Sequence, residues 1–394
     1  MGDHYFTEHD VLTQLAKQDG FGALAASPNG IVVPVAKGAQ GFDQTRNRID
    51  NDARYADGYN REFALGNYKA MGDLPLVANL DYLGYPLFGF CGSMTDTGCV
   101  NGVTITAGGT GYTANFAVTF TGGGGTGAAG TAIVSGGAVI SVFMTNRGTG
   151  YTSAPSPSFA AGAGTGATGT AVTGYKHSGK PGNTVVYYTG EEQIGSEFYQ
   201  YLDQVFSEMS IQYDVEGMFK PGFKTAGSGA MNVATTSMDA TPTEIAGGPA
   251  EMLNWGTLED GVDDGIITKA TLTVTRQVIE VRPSGGGTTQ LAGKCIALVI
   301  GNKVAKLNIT ALVKDDVRWA KARDGVMTDI KLSIARGFLL LDVTLPEFKV
   351  VPTSSKKPTD QPLQLELEGE GIFGVNAASP ITFDLFNTIA THNA

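Results

Sequence analysis

Gly109-Thr110-Gly111-Tyr112 returns as Gly148-Thr149-Gly150-Tyr151, 39 positions further along a chain of 394 residues. At the same offset Phe120 recurs as Phe159, and Gly125-Thr126-Gly127 as Gly164-Thr165-Gly166. Three landmarks sharing one offset mark a repeated supersecondary unit. Between them run short β-rich segments: Val103 to Thr106, Phe116 to Phe120, Ala132 to Val134 and Val139 to Phe143. Gly-Gly and Asn-Gly punctuation separates them, as in hairpins. Residues 101–174 hold 19 of the 55 glycines and a single charged side chain, Arg147, which sets them apart from both flanks. The expected organisation is a discontinuous β domain over 1–98 and 175–394, interrupted by a small glycine-rich β-repeat domain over 99–174.

Outside residues 101–174 the charge is lopsided. The whole chain has 27 Lys plus Arg against 38 Asp plus Glu, net −11, and the part outside 101–174 carries −12. That balance argues against a protein that grips phosphates, while allowing one that lets nucleic acid slide past. No run of 18 apolar residues offers a membrane span, and Met1 to Tyr5 lacks the basic and apolar regions of a signal peptide. Cys91, Cys99 and Cys295 form an odd, sparse set. A Cys91–Cys99 bridge is one option, and buried free thiols are the favoured one.

Along the chain, Thr7 reads as an N-cap with Phe6 stapled to Val11, predicting a short helix through Leu12, Leu15 and Ala16 to Gly20. Arg46, Arg48, Asp50, Asp52 and Arg54 interleave as a solvated face or a subunit boundary. A second short helix is predicted over Pro75 to Leu80. Phe198, Tyr201, Leu202 and Val205 fit a helical stripe, while Val205, Met209, Ile211 and Tyr213 alternate. A strand over Val205 to Tyr213 is the favoured reading, followed by a turn at Asp214 to Gly217 and a return strand that Pro221 places on an edge or at a bulge. Ile266 to Val281 is a long strand. Cys295 to Ile300 and Val304 to Val313 flank Gly301-Asn302 as a predicted hairpin. Asp315 to Arg323 reads as a helix with leading acids and trailing bases. Strands follow near Asp329–Ile334, Phe338–Leu345 and Leu363–Glu368.

No constellation for chemistry emerges, so no enzyme, cofactor or metal is expected. His4, His9, His177 and His392 are too scattered to form a metal or catalytic set. Gly122 to Gly127 suggests a phosphate cradle but lacks the Lys-Ser/Thr of a P-loop. Asp260 to Gly265 fits a solvated turn better than a calcium loop. Glu191-Glu192 offers paired carboxylates, although neighbours in a strand point apart. Tyr112 and Tyr151 are candidate glycan-facing aromatics, with packing on their own β-module the favoured reading.

The order of features resembles the tail tube proteins of long-tailed bacteriophages. The residues that carry the resemblance run from Arg48-Ile49-Asp50 through Gly58-Tyr59-Asn60 to Pro75-Leu76-Val77 and Leu87-Phe88-Gly89. They continue through Phe206 to Gly227, then from Thr271 to Val274 past Trp319 to Leu339–Pro346, and end with Leu363–Gly371. The repeat looks like the glycine-threonine-tyrosine β-modules inserted in phage structural proteins. The resemblance implies a mainly β fold, a tail-tube-type β-sandwich or barrel with short flanking helices. It further implies hexameric rings stacked into a tube that conducts viral DNA without specific binding. Expected partners are further copies of the chain and other tail proteins such as the tape measure and tail terminator. Expected localisation is the virion tail, with assembly in the host cytoplasm. The alternative is a glycan-binding or adhesive virion protein in which the repeat is the working part.

Overall fold

The structure, a computed structural model, describes residues 11–24, 29–50, 63–77, 79–214, 219–248, 255–259, 267–282, 295–312, 328–356, 364–373 and 379–393. The chain opens with β1 (Val11–Lys17), β2 (Ile31–Val32), β3 (Gly41–Asp50), β4 (Phe63–Pro75) and the helix α1 (Gly84–Cys91). The repeat contributes β5 (Met94–Thr110), β6 (Phe116–Thr121), β7 (Thr126–Ser135), β8 (Ala138–Thr149), β9 (Ser156–Ser158) and β10 (Thr165–Gly179). Next come β11 (Tyr188–Ile194), β12 (Glu197–Asp214), β13 (Gly222–Gly227), β14 (Met231–Ala234) and β15 (Trp255–Glu259). The chain closes with β16 (Ile267–Val281), β17 (Ala297–Leu312), β18 (Thr328–Arg336), β19 (Leu339–Lys356), β20 (Gln364–Gly371) and β21 (Thr382–Asn387). The fold is mainly β.

All these strands pair antiparallel. One series runs β3-β4-β13-β12-β16-β17-β20 and another β15-β18-β19-β21-β10-β5. The long β19 joins them: its first half pairs β18 and β21, and its second half pairs β20. Period-two alternation explains the core, which buries Leu272 and Val274 on β16, Leu307 and Ile309 on β17, and Leu332 and Ile334 on β18. β12 belongs to two sheets. Its first half pairs β11 and β14, and its second half pairs β13 and β16. The change of partner falls near Asp203, whose φ of 59° is left-handed. Asp is among the few non-glycine residues that visit that conformation, and here tertiary bonds hold its carboxylate, which accepts from Gly22 N at 2.6 Å and Ser228 Oγ at 2.5 Å.

Several expectations are corrected. The predicted helix through Leu12 and Leu15 is strand β1, whose seven residues all pair β11; Phe6 to Asp10 lie outside the described residues. Pro75 ends β4, and the helix begins at Gly84 instead, after Asn79 Oδ1 accepts the Tyr82 amide at 2.6 Å. Gly301-Asn302 is no hairpin. Both residues lie opposite Gln277 in a bulge of the continuous β17, where Arg276 pairs Lys303 and Val278 pairs Ile300. The strand after Pro221 is interior, between β12 and β4; Pro221 precedes its first residue and its carbonyl accepts from Leu76 N at 2.8 Å. The helix over Asp315–Arg323 and the turn at Asp260–Gly265 lie outside the described residues.

Candidate functional site

The repeat builds a four-stranded sheet, β8-β7-β6-β9, beside the long β5–β10 ladder. Its pseudo-symmetry reaches beyond the sequence landmarks. One small core holds Val139, Tyr112, Ala132 and Phe159, with Ile105 and Ala167 against it. The other holds Val100, Tyr151 and Ala171, with Phe120, Met144 and Ala128 against it. Each of these residues has its counterpart 39 positions away. The amides repeat too: Tyr112 N donates to Gly137 O and Tyr151 N to Gly98 O, both at 3.1 Å. The two halves complete each other, because Thr110 pairs Thr165 and Thr149 pairs Thr126. Gly109 and Gly148 sit at these crossings with φ of 65° and 67°, and a Cβ on either would strike the facing backbone.

This interlock decides the candidate aromatics. Tyr112 is 3% exposed and Tyr151 6%. Tyr112 lies over Gly162 and Gly164, and Tyr151 over Gly123 and Gly125. The rings fill the space that side chains at those glycines would take, so the glycan-facing role for Tyr112 and Tyr151 is withdrawn. The same packing fills the supposed cradle at Gly122 to Gly127 with the Tyr151 ring.

At the base of the repeat the fold brings together two of the four histidines. His177 on β10 is fully buried; its Nδ1 lies 2.7 Å from Asp96 Oδ1, and its Nε2 lies 2.9 Å from both Asn387 Oδ1 and Ile389 O. The His392 ring stands edge-on to it, with centroids 4.5 Å apart. His392 Nε2 lies 3.2 Å from Asp81 O, and the ring covers Gly84 at the start of α1. Burial first, and then the neighbouring His177, push the His392 imidazole down to about 4. An aspartate–histidine pair orients a general base in many enzymes. Here both ring nitrogens are already engaged and no solvent reaches the ring, so the group acts as a clasp on the C-terminal strap. His4 and His9 lie outside the described residues. Among the described residues no group of three or more His, Cys, Asp or Glu could hold a metal ion.

The adjacent carboxylates do point apart, and both are buried. Glu191 accepts from Gln14 Nε2 at 2.5 Å, Ser237 Oγ at 2.6 Å, Gln200 Nε2 at 2.8 Å and Met238 N at 2.8 Å. Glu192 accepts from Phe42 N at 2.8 Å on the opposite face. Burial, opposed by that one hydrogen bond, pushes Glu192 up to about 7. With separate partners the two cannot work as an acid–base pair. Cys91, Cys99 and Cys295 are free thiols, the first two buried, and burial pushes them up to about 12 and about 11 respectively.

No protein-family model matches the chain, and no curated protein matches it.

One feature that sequence reasoning missed is a cation at a core position. Arg276 continues the alternation Ala270, Leu272, Val274 and is fully buried. Its guanidinium donates to Gly89 O at 2.9 Å, Phe90 O at 2.5 Å and Thr184 O at 2.7 Å. It therefore caps the negative end of α1. The signal was present in the sequence, since an arginine in phase with buried apolar residues requires a partner for its charge. A second missed feature is an arm. Beyond the bulge, Ile279 faces Val299 and Val281 faces Ala297. Among the described residues no further strand pairs this part of the ribbon. Ile279 and Val299 are 44% and 47% exposed, with Val281 and Ile296 exposed beside them.

Proposed function

We propose that the protein is a structural virion subunit of the tail-tube type, which self-assembles into rings, six-fold by the resemblance, stacked into a conduit for genome delivery. The observation that carries the reading is the arm. One face of the arm packs through Leu298, whose backbone bonds Tyr187, and Arg282 ties its end to Tyr68 O. Its other, aliphatic face is exposed, and such a face on a ribbon with no further strand beside it among the described residues invites pairing. A neighbouring copy would cover that face. The order of elements supports the reading, as does the acid surplus, which suits a wall that lets DNA pass. Its other partners would be the tape measure and tail terminator proteins. Most of β16 and β19 is interior, and among the described residues it is the arm end of β16 that no further strand covers.

The test is sedimentation velocity of the wild-type protein and of Ile279→Asp/Val299→Asp. The reading expects fast-sedimenting assemblies for the first and a folded, slow species for the second. Equal sedimentation of the two contradicts it.

A further inference from the structure

The C-terminal strap, residues 388–393, lies across the root of the repeat and contains no strand. Side chains hold it from outside: Asp81 Oδ1 accepts from Thr388 N at 2.8 Å and Thr388 Oγ1 at 2.9 Å, and Lys17 Nζ donates to Asn393 Oδ1 at 2.6 Å. Its inner anchor is the fully buried His177 ring on β10.

The partners of that ring fix its protons. Nε2 lies 2.9 Å from Ile389 O, and a carbonyl only accepts, so Nε2 carries hydrogen. Asn387 Oδ1, also 2.9 Å from Nε2, is an acceptor too, because it takes the Ile389 amide at 3.1 Å. On the other side Nδ1 lies 2.7 Å from Asp96 Oδ1. Two lone pairs at that distance would repel, so a second proton sits between Nδ1 and the carboxylate. The pair therefore holds one proton more than a carboxylate beside a neutral imidazole, and its net charge is zero.

Loss of that proton leaves one hydrogen for two sides of the ring. The charge-assisted bond to Asp96 is the stronger claim on it. Nε2 then turns a lone pair toward Ile389 O and Asn387 Oδ1, and the strap loses its inner anchor. We propose that the proton shared by His177 and Asp96 is a pH-operated latch, which holds residues 388–393 closed and releases them when it departs. The other titratable or charged groups around the ring are His392 on the strap, Tyr175 two residues before it on β10, and the Lys176–Asp384 ion pair on β10 and β21. Tyr85 on α1 lies behind His392, and the Asp81 carboxylate is taken up by Thr388. The latch does not depend on assembly or on the tail-tube reading.

The experiment is hydrogen exchange of the full chain from pH 5.5 to 9, corrected for intrinsic exchange, with the amides of β21 as the folding control. In the wild type, protection of Thr388 and Ile389 should fall roughly tenfold or more as pH rises, the scale of losing a hydrogen bond from a charged donor, while β21 stays protected. Asp96→Asn is the decisive variant. Its amide can donate to Nδ1, which leaves hydrogen on Nε2 without any extra proton, so the strap should stay closed across the whole range. A purely structural ion pair predicts the opposite, a strap loosened by Asp96→Asn at every pH. The Asp96 side chain is 31% exposed, so the variant is expected to fold. Histidine-labelled wild-type protein gives a readout that needs no variant: by nitrogen NMR, His177 Nε2 should bear hydrogen while the strap is closed and lose it as the strap opens. Strap protection independent of pH in the wild type, a strap loosened by Asp96→Asn, or an Nε2 that stays protonated throughout would each overturn the proposal.

Discussion

Glu192→Gln should stabilise the protein at alkaline pH and do little at acid pH. The carboxyl goes from an ordinary value of 4.5 in the unfolded chain to about 7 in the fold. A folded-state value raised in this way means that the native protein holds the proton more tightly. Stability is then full below pH 4.5 and declines as pH rises through the window from 4.5 to about 7. Above it, the fold carries a buried carboxylate that accepts from Phe42 N. The shift corresponds to roughly 3 kcal/mol at most, at about 1.4 kcal/mol per pH unit. Glutamine keeps an oxygen for the Phe42 amide and removes the charge. Urea unfolding of both proteins at pH 5 and pH 8 is the assay. The stability difference between variant and wild type should swing by about 2–3 kcal/mol in the variant's favour between the two pH values. Glu191→Gln is the control and should destabilise at both, because it turns an amide toward some of the four donors that now converge on a carboxylate. A Glu192→Gln effect that is independent of pH, or that worsens at pH 8, would refute the reasoning.

Replacing residues 99–174 by an Asn-Gly turn between Gly98 and Tyr175, which face each other in the β5–β10 ladder, should leave a soluble protein on size-exclusion chromatography. A cut joining Gly98 to Gly179 should aggregate, because it removes Tyr175 to Ser178, which pair β21, and with them His177. Arg276→Met should lower the unfolding free energy from urea titration by about 3–5 kcal/mol, since it strips three buried carbonyls at the end of α1 and beyond of their donor, at about 1–3 kcal/mol each. His392, depressed from 6.5 to about 4, contributes stability above pH 6.5 that is lost as pH falls toward 4; His392→Gln should flatten thermal unfolding across that window. Preformed assemblies should bind duplex DNA weakly at low salt, and tight binding that falls steeply with added salt would reveal a basic bore.

The strands of the C-terminal half were legible because their apolar residues alternate over long runs. Leu339 to Leu345 is an example: Leu341, Val343 and Leu345 on one face pack on the common core, where Leu367 joins them. The repeat was legible as an offset, but its interlock was not: nothing in Gly109-Thr110-Gly111-Tyr112 says that it meets Gly164-Thr165-Gly166 of the other half. β1 was misread because it is buried on both faces, with the polar Thr13 and Gln14 among its buried residues, and Gln14 is satisfied by Glu191, 177 residues away. The helix α1 was missed because Gly84, Pro86 and Gly89 are weak helix formers. Pro86 is tolerated in the first turn, where its missing N–H has no partner to lose, and Arg276 holds the far end. His177 and His392 are 215 positions apart, and only the packing of β10 on β21 brings them together.

Negative-stain electron microscopy of the purified protein tests the central claim most directly. Self-assembly of the tail-tube type predicts six-fold rings or tubes with a continuous central channel. Monomers or isolated trimers at micromolar concentration, with no rings at any salt, would contradict it.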